Sequence, residues 1–542
     1  MHDSPDLPRR AFLWLAAGAG LAVAAAALAA CDATNPSAAA TSTVAASGSP
    51  SASPEASQAT GSPTPTASVP APTPTPTPGP TIADENRHAG SPGWALGLGY
   101  RSAVEVFAAP SSVEPGEKIE LHVSSPVPFD VEWYRIGWYH GAGARLVHRD
   151  TGRPAAPDHS TAVHRSTGLV EATWPANVAA TVPDTWRSGL YVAVARPSDG
   201  TAPGAVPFIV RAPLRSASPN LFISAQATWQ AYNAWGGKSL YSYNSTGEKT
   251  PTGTTAAAIV SFDRPYDADG GLGYLRKWEV QFIRWMERTG RNVDYALDTD
   301  LETRPEVLAP RRFGVLAGHA EYWSRPMRES MERAVAAGMN AAFFSANEVY
   351  WQVRLGASKL GPDRRITCYK SSKRDPMTAT APKLATCRWR ETPVLEPEAA
   401  FLGVMYGHVV QQPVDWVVAN SGHWIYKGTG LRNGDRIVSL IGQEYDSYFP
   451  KLAPPGTVVI AKSPVPFVGT DPDAFGDVKS PAMQSATVRD PAGGAGGMVA
   501  VGTFQWSWAL DAYGQHVYNG RRTPLDPRVE RMTANVFDRF GA

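Results

Sequence analysis

Cysteine is scarce in this sequence, with only Cys31, Cys368 and Cys387 among 542 residues. Cys31 belongs to an export signal described below, so two cysteines remain for the folded part. Outside the cytoplasm two such cysteines are expected to pair, and closing a loop of about 20 residues would stabilise the fold by roughly 3 kcal/mol. The sequence therefore predicts a disulfide between Cys368 and Cys387, with a metal site made from the two thiols as the alternative.

Charge of one sign is also missing, because 50 lysine and arginine residues are balanced by 49 aspartate and glutamate residues. Without a positive field or a basic stripe, the chain is not expected to bind nucleic acid. Several catalytic motifs are absent as well. No Gly-x-Ser-x-Gly elbow occurs, Gly271-Leu272-Gly273 lacks the rest of a dinucleotide fingerprint, and neither remaining cysteine has the setting of a reactive nucleophile. Serine or thiol hydrolysis is therefore unsupported.

The first 31 residues have the features of an export signal. Arg9 and Arg10 match a twin-arginine signal, and an apolar run of small residues follows from 16 to 30. The run ends directly before Cys31, at a small-residue cleavage site of the kind that precedes a lipid-modified cysteine. We therefore predict a twin-arginine lipoprotein signal over residues 1–31, with Cys31 lipidated. A plain signal peptide or an N-terminal membrane anchor is the alternative.

Residues 32–82 consist mainly of Ala, Ser, Thr and Pro, with almost no charged or large apolar residue. Such a segment cannot bury enough apolar surface to offset the entropy lost on ordering, so it is predicted to be a disordered linker. Together with the signal, it predicts an exported, outward-facing protein. The protein would contact the membrane through its lipid anchor alone, or be secreted.

The sequence pattern of residues 83–213 predicts an antiparallel β-sandwich. Polar and apolar residues alternate in Lys118–Val123 and in Asp130–Ile136, and two more strand-like runs follow at Tyr191–Ala195 and Pro207–Val210. Short alternating strands separated by Gly-, Pro- and Asp-containing turns are typical of a sandwich. No acid pair or metal-ligand spacing occurs there, so this domain is expected to have an accessory role.

The pattern changes in residues 214–542, where strands alternate with helices. Buried strands are predicted at Leu221–Ile223 and Phe313–Leu316, and helices at Tyr274–Arg288 and Pro326–Ala337. Strands that alternate with helices form a mostly parallel sheet that is covered on both faces. The predicted fold class is thus multidomain α and β: a β-sandwich followed by a mostly parallel α/β domain of the glutamine-amidotransferase or flavodoxin type.

His319 and Glu321 come directly after the strand predicted at Phe313–Leu316. Residues two apart on an extended backbone point to the same side, so the imidazole and the carboxylate leave the strand end together. In open α/β sheets, ligands bind beyond the carboxyl ends of the strands, where this pair would lie. A metal-binding or acid–base role is one interpretation. The other is a hydrogen-bonded pair that caps the helix beginning near Arg325.

A tyrosine-rich region follows the first strand of the same domain and includes Tyr232, Tyr241 and Tyr243. Tyrosines are usually core or interface residues. Beside a His-x-Glu pair they gain a second interpretation, because a Lewis-acidic metal can lower the phenol pKa from its ordinary value of about 10 and bind the phenolate. Oxygen donors with one carboxylate would favour a hard ion such as ferric iron over zinc.

Four motifs resemble those of the catalytic (beta) subunit of N,N-dimethylformamidase and of the bacterial proteins that share its fold. They are Tyr134–Tyr139 (YRIGWY), Gly318–Trp323 (GHAEYW), Asn347 with Tyr350-Trp351, and Gly502–Trp508 (GTFQWSW). The resemblance extends from about Val131 to the end of the chain. It is fairly specific for the fold and weakly specific for the substrate. The usual His-Pro-Glu of the family is His-Ala-Glu here.

The resemblance implies one mononuclear ferric ion per chain, held by two tyrosines and one glutamate. Carried over to this sequence, Glu321 is the carboxylate ligand. Tyr232 and Tyr241 are the tyrosine ligands, with Tyr243 as the alternative to Tyr241.

The resemblance also implies catalytic roles for His319 and Asn347. His319 would shuttle a proton to the leaving amine, and Asn347 would donate a hydrogen bond to the substrate carbonyl. The function implied is a metal-dependent hydrolase that acts on the C–N bond of a small amide. The family enzyme works with a small subunit that is not evident in this chain, and the sequence leaves a homo-oligomer open.

The alternative function is that of a non-catalytic envelope lipoprotein that binds glycan or protein through an aromatic surface. The residues expected to form that surface are Trp229, Trp235, Trp506 and Trp508.

Overall fold

The structure is a computed structural model that describes residues 81–95, 97–98, 102–466, 482–514 and 517–541. The predicted signal with Cys31, and the predicted linker up to residue 80, lie outside the described residues. Within the described part, no helix combines the length and the apolar character needed to cross a membrane.

The described chain up to residue 213 forms one short α-helix, α1 (Ile82–Glu85), and a series of strands. The strands are β1 (Glu105–Ala109), β2 (Ser112–Val113), β3 (Lys118–Ser124), β4 (Phe129–Ile136), β5 (Ala144–Arg153), β6 (Thr161–His164), β7 (Leu169–Ala172), β8 (Val178–Thr181), β9 (Gly189–Pro197) and β10 (Gly204–Val210). Each of the four strands predicted in this region is present, extended by one to three residues at one or both ends.

These strands form two main sheets that share one apolar core. The order is β1-β3-β8 in the smaller sheet and β2-β10-β9-β4-β5 in the larger, and all pairs are antiparallel except β2 with β10. Leu121 of the smaller sheet and Trp133 and Phe208 of the larger are buried in the same cluster. The alternation that predicted the strands also places these side chains inside.

The remaining chain combines helices and strands. Its helices are α2 (Gln226–Tyr232), α3 (Gly273–Trp278), α4 (Val280–Arg288), α5 (Asp300–Thr303), α6 (Arg325–Ala336), α7 (Ala399–Leu402) and α8 (Pro527–Phe540). Its strands are β11 (Asn220–Ser224), β12 (Ile259–Ser261), β13 (Asp294–Leu297), β14 (Phe313–Leu316), β15 (Tyr322–Ser324), β16 (Asn340–Phe343), β17 (Trp351–Ser358), β18 (Gly361–Thr367), β19 (Val404–Val417), β20 (Arg436–Tyr448), β21 (Val458–Pro464), β22 (Met483–Arg489), β23 (Met498–Ala500), β24 (Val517–Tyr518) and β25 (Arg521–Arg522).

A seven-stranded sheet in the order β13-β11-β14-β16-β23-β22-β21 organises this part. The first five strands are mutually parallel, β22 runs antiparallel to them, and the edge strand β21 is antiparallel to β22. Phe222 and Val315 belong to one core cluster, whereas Ile223 and Leu316 belong to another. Both faces of the sheet are therefore covered, as expected for parallel strands. The mixed α and β class predicted from the sequence is confirmed.

The long helix predicted over Tyr274–Arg288 is wrong in one respect, because the chain is interrupted at Glu279. There α3 ends and α4 begins, with φ −115° and ψ −34° at Glu279. The buried carboxylate accepts hydrogen bonds from the Ala225 N–H (3.0 Å) and from the Trp229 indole (3.1 Å). A periodicity argument cannot detect an interruption that is stabilised by contacts about 50 residues away in sequence.

The predicted disulfide is not formed in the structure: Cys368 and Cys387 are free thiols and both are buried. They pack in two different apolar clusters, and the Cys387 thiol lies 3.8 Å from the Ala385 carbonyl oxygen. Burial raises the pKa of the Cys368 thiol to about 12, so this sulfur behaves as a small apolar side chain.

Candidate active site

The segment between β14 and β15 carries His319 and Glu321 at the carboxyl end of the parallel sheet. Gly318 precedes them in a tight space: a Cβ there would lie 2.5 Å from Glu279 Oε1, so any other residue would displace the Glu279 side chain. The local sequence thus fixes where the chain leaves the strand, and the predicted position of the pair beyond a core strand is confirmed.

A second turn, between β16 and β17, holds this segment in place. Ala320 donates from its N–H to Glu348 Oε2 (2.9 Å), and Val349 donates to the Ala320 carbonyl (2.8 Å). Tyr350 and Trp351 both donate to the Glu321 carbonyl at 2.9 Å. Backbone and side-chain contacts therefore fix the orientation of the His319–Glu321 pair from one side.

Two tyrosine hydroxyls meet the carboxylate of Glu321. Tyr232 Oη, at the end of α2, lies 2.8 Å from Glu321 Oε2 and 2.8 Å from Tyr241 Oη. Tyr241 Oη lies 3.0 Å from each carboxylate oxygen of Glu321. The two rings are stacked, with centroids 4.4 Å apart. The structure thus brings together the three residues that the sequence singled out as ligands.

Tyr243, the alternative to Tyr241, is placed differently. Its side chain is 40% exposed, and its ring packs against that of Tyr241 with centroids 5.4 Å apart. Within the described residues its hydroxyl makes no hydrogen bond to Glu321. Of the two tyrosines, Tyr241 alone places its hydroxyl against the carboxylate.

Aromatic and cationic groups surround the oxygen cluster. Trp351 donates from its indole to Glu321 Oε1 (3.0 Å), and the Tyr322 hydroxyl donates to Tyr241 Oη (2.7 Å). The Lys370 ammonium lies 3.3 Å from the centroid of the Tyr241 ring, at the short end of a cation–π contact. Lys370 therefore supplies positive charge directly beside the cluster.

Polar groups from three different elements adjoin the cluster on the His319 side. Glu444, on β20, accepts a hydrogen bond at Oε2 from Asn347 Nδ2 (2.9 Å). His319 Nε2 lies 3.4 Å from Glu321 Oε2 and 3.7 Å from Glu444 Oε2, but neither contact has hydrogen-bond geometry. His319, Glu444 and Asn347 are all buried. An imidazole nitrogen, a carboxylate and an amide thus lie close together in a buried part of the site.

Burial dominates the electrostatics of these groups. Burial, and secondarily the charge of Lys277, lowers the pKa of His319 well below its usual range, so the imidazole is neutral. Burial and the charge of Glu321 raise the pKa of Tyr232 and Tyr241. Without a bound cation both phenols are therefore protonated.

The two carboxylates have different partners. Burial raises the pKa of Glu321, although the Lys370 charge and hydrogen bonds from the two tyrosines oppose that effect. Burial and repulsion by Glu321 raise the pKa of Glu444 well above its usual range. One negative charge at Glu321 thus makes a second at Glu444 unfavourable, and a proton is held near this pair.

The predicted aromatic surface, on which the alternative function depends, is not present: that prediction is wrong. Trp229, Trp506 and Trp508 are 3%, 0% and 4% exposed, and only Trp235 is half-buried. The indole of Trp506 donates to Thr533 inside the core (3.0 Å), and that of Trp508 donates to the Lys277 carbonyl (2.9 Å). These tryptophans stabilise the fold and cannot form a binding face.

A family model described as N,N-dimethylformamidase beta subunit-like, C-terminal, matches residues 130–520. The chain belongs to this family. The match begins in β4 and includes every residue of the site described above, as the motif resemblance predicted.

Two further comparisons add no functional information to the dimethylformamidase assignment. No curated protein matches the chain. A solved structure described as mmIFT52 N-terminal domain is similar over 46% of this chain and 85% of its own, with 12% sequence identity and a TM-score of 0.25.

The oxygen cluster is suited to the metal that the dimethylformamidase resemblance implies. Among the described residues, no group of three or more His, Cys, Asp and Glu side chains is arranged to hold a metal ion. The donors here are instead two phenols and one carboxylate within 2.8–3.0 Å of one another, an all-oxygen set that suits a hard cation. His319 Nε2 is buried beside them without a hydrogen-bond partner among the described residues. The residues present therefore fit a ferric ion.

Two charged residues of this dimethylformamidase-like site were missed by the sequence reasoning. Glu444 lies in a Gln-Glu-Tyr-Asp run on the long β20 strand, and Asp446, two residues on, accepts a hydrogen bond from the Asn347 N–H (2.9 Å). Two acids two residues apart on an otherwise buried strand were a usable signal. Lys370 follows a cysteine and a tyrosine in a loop, and no sequence pattern distinguishes it.

Proposed function

We propose that this protein is a metal-dependent hydrolase that cleaves the C–N bond of a small amide. The observation that carries the proposal is the convergence of Tyr232, Tyr241 and Glu321 within 2.8–3.0 Å, next to a buried neutral His319. Membership of the dimethylformamidase family supports the same reaction class. The aromatic-surface alternative has no structural support, because three of its four tryptophans are buried.

In this proposal Tyr232, Tyr241 and Glu321 hold one ferric ion per chain. Such an ion would supply Lewis acidity toward an amide carbonyl and charge that stabilises the two phenolates. Lys370 lies against the ring face of Tyr241 and compensates the negative charge of the donor set. Trp351 holds the Glu321 carboxylate in orientation through its indole N–H.

Asn347 would act on the substrate carbonyl, and Glu444 would act on the attacking water. One amide hydrogen of Asn347 is used by Glu444, which leaves the other to donate to the substrate carbonyl oxygen. Glu444, whose pKa is raised by burial, suits a general base that takes a proton from the attacking water.

His319 would complete the reaction by moving a proton to the leaving amine. As water attacks the carbonyl carbon, one of its protons passes to Glu444. The C–N bond then breaks, and the proton held by Glu444 passes through His319 to the amine nitrogen; His319 Nε2 lies between the two carboxylates. The products are a carboxylic acid and an amine, with the proton count balanced by the water consumed.

The cellular setting is also part of the proposal. The protein would be exported, lipid-anchored through Cys31 and outward-facing. Its β-strand part would have the sandwich arrangement, and its α/β part would be of the glutamine-amidotransferase or flavodoxin type.

The test is iron analysis and visible absorption of the purified protein, with Glu321→Gln, Tyr241→Phe and, as a matched control, Tyr243→Phe. We expect about one iron per chain and a tyrosinate-to-iron charge-transfer band in the wild type. Glu321→Gln should lose the iron, Tyr241→Phe should lose or shift the band, and Tyr243→Phe should change neither. Wild-type protein that stays folded and colourless after growth with excess iron contradicts the proposal.

A further inference from the structure

Lys277, at the end of α3, carries a positive charge without a fixed partner. Its Nζ lies 4.3 Å from the centroid of the Trp278 ring, and among the described residues it makes no hydrogen bond and no ion pair. Its side chain is half-buried. A partly desolvated ammonium is costly unless an anion or a hydrogen-bond acceptor completes its environment. A bound ligand with an anionic group would supply that partner.

An aromatic wall connects Lys277 to the candidate active site. It consists of Trp278, Phe504 and Tyr518, which pack in one cluster. The Trp278 ring contacts Phe504 at 5.1 Å between centroids, and Phe504 contacts His319 at 4.2 Å. One aromatic side chain after another thus leads from the proposed acid–base group to the ammonium.

The two carboxylates of the site have hydrogen-bond partners other than the ammonium. Glu321 is occupied by hydrogen bonds from two tyrosines and Trp351, and Glu444 accepts from Asn347. Burial lowers the pKa of Lys277 to about 8, with Glu444 opposing the effect, so the amine is still largely charged at neutral pH. Among the described residues, Lys277 and Glu444 form no ion pair, so their attraction acts at a distance.

We propose that Lys277 binds a carboxylate of the substrate, and that the substrates are small amides bearing an acidic group, of the N-acyl amino acid class. The aromatic wall would pack against the carbon atoms between the carboxylate and the scissile amide. Asn347 and His319 would face the amide itself. This inference rests on the proposed hydrolase function for its reaction, but the recognition of the anion is a separate property.

The test compares N-formylglycine with N-propylformamide, a neutral amide of similar length, in wild type, Lys277→Met and Lys277→Arg. Formate release gives kcat/KM, and calorimetry gives binding. Lys451→Met is the matched control, because Lys451 is exposed and makes no described contact. We expect Lys277→Met to lower kcat/KM and affinity for N-formylglycine about 10- to 100-fold. Its effect on N-propylformamide should be small, and Lys277→Arg should restore part of the loss.

The outcomes separate this inference from the proposed function. Binding of N-formylglycine that depends on Lys277, without formate release, supports anion recognition while the hydrolase proposal fails. Hydrolysis of N-propylformamide with no preference for N-formylglycine supports the hydrolase and overturns the role of Lys277. Wild-type protein that does not bind N-formylglycine at all overturns the inference, whatever its activity toward other amides.

Discussion

Glu444 is the general base of the proposed mechanism: its carboxylate contacts Asn347 directly and lies 3.7 Å from His319 Nε2. If it is the general base, Glu444→Gln keeps the shape and the Asn347 contact but removes the proton acceptor. We expect kcat/KM for an amide to fall by about 10²- to 10⁴-fold. Iron content and unfolding temperature should stay unchanged, and a fall in iron would instead indicate a structural role.

The pH profile checks the same residue. Burial and Glu321 raise the pKa of Glu444, so the active carboxylate form is populated only above its ordinary range. Activity should therefore rise with pH through that raised pKa, and this limb should be absent from the residual activity of Glu444→Gln. An unchanged profile in the variant would assign the limb to another group.

At the scale of elements, the turn between β16 and β17 determines the geometry of the site. Asn347 and Val349 have positive φ values of 55° and 53°, a conformation that costs a non-glycine residue of the order of 1–3 kcal/mol. The hydrogen bonds from this turn to Ala320 and Glu321 offset that cost. The strained backbone of this turn therefore directs the Asn347 side chain toward Glu444.

Glu348 provides a test of this turn. Burial raises the pKa of Glu348 well above its usual range, so the side chain is already neutral while Oε2 accepts from the Ala320 N–H. Glu348→Ala removes the acceptor and should lower the free energy of unfolding by about 1–3 kcal/mol in urea. Glu348→Gln keeps an acceptor oxygen and should cost clearly less; equal losses would mean that packing volume matters more than the hydrogen bond.

Which elements could be predicted depended on how local their signal is. Strands β3, β4 and β14 follow from alternation or short apolar runs, and α6 from Pro326 in its first turn. The long hairpin of β19 and β20, from which Glu444 projects, has no comparable local signal. Its register is irregular, with shifts that interrupt the period-2 pattern on which a strand prediction depends.

At the scale of the whole molecule, a buried ion pair joins the first β-strand part to the α/β part. Arg135 on β4 contacts Glu287 on α4 through two hydrogen bonds of 2.7 and 3.0 Å, and both side chains are fully buried. Arg135→Met leaves Glu287 as an unpaired buried charge and should cost about 3–5 kcal/mol of unfolding free energy.

The matched double variant separates charge from packing. Arg135→Met with Glu287→Met removes both charges and should be more stable than Arg135→Met alone. Arg333→Met, at an ion pair that is mostly exposed, should change the unfolding midpoint little. A double variant less stable than the single one would show that the pair contributes more than charge compensation.

Stability should also depend on pH in a defined direction. Burial raises the pKa of Glu279 to about 7 and that of Asp446 to about 7. A carboxyl whose folded pKa is raised binds a proton more tightly when folded. Its stabilisation is therefore complete below the unfolded pKa of about 4 and is lost as pH rises to about 7.

We therefore expect a higher unfolding temperature at pH 5.5 than at pH 8, with each carboxyl contributing of the order of 1–3 kcal/mol. Glu279→Gln keeps an acceptor for the Ala225 N–H and should reduce the difference between the two pH values. A variant with the full wild-type difference would show that Glu279 does not titrate in this range.

The sequence by itself determined the residue types of the site, the strand that carries His319 and Glu321, and the mixed α and β class, because these follow from local periodicity and spacing. Tertiary structure decided the rest. It chose Tyr241 over Tyr243, brought Glu444 and Lys370 to the cluster, buried three tryptophans expected at a surface, and packed the two cysteines in separate clusters. These outcomes depend on contacts between residues many positions apart, which alternation and spacing do not encode.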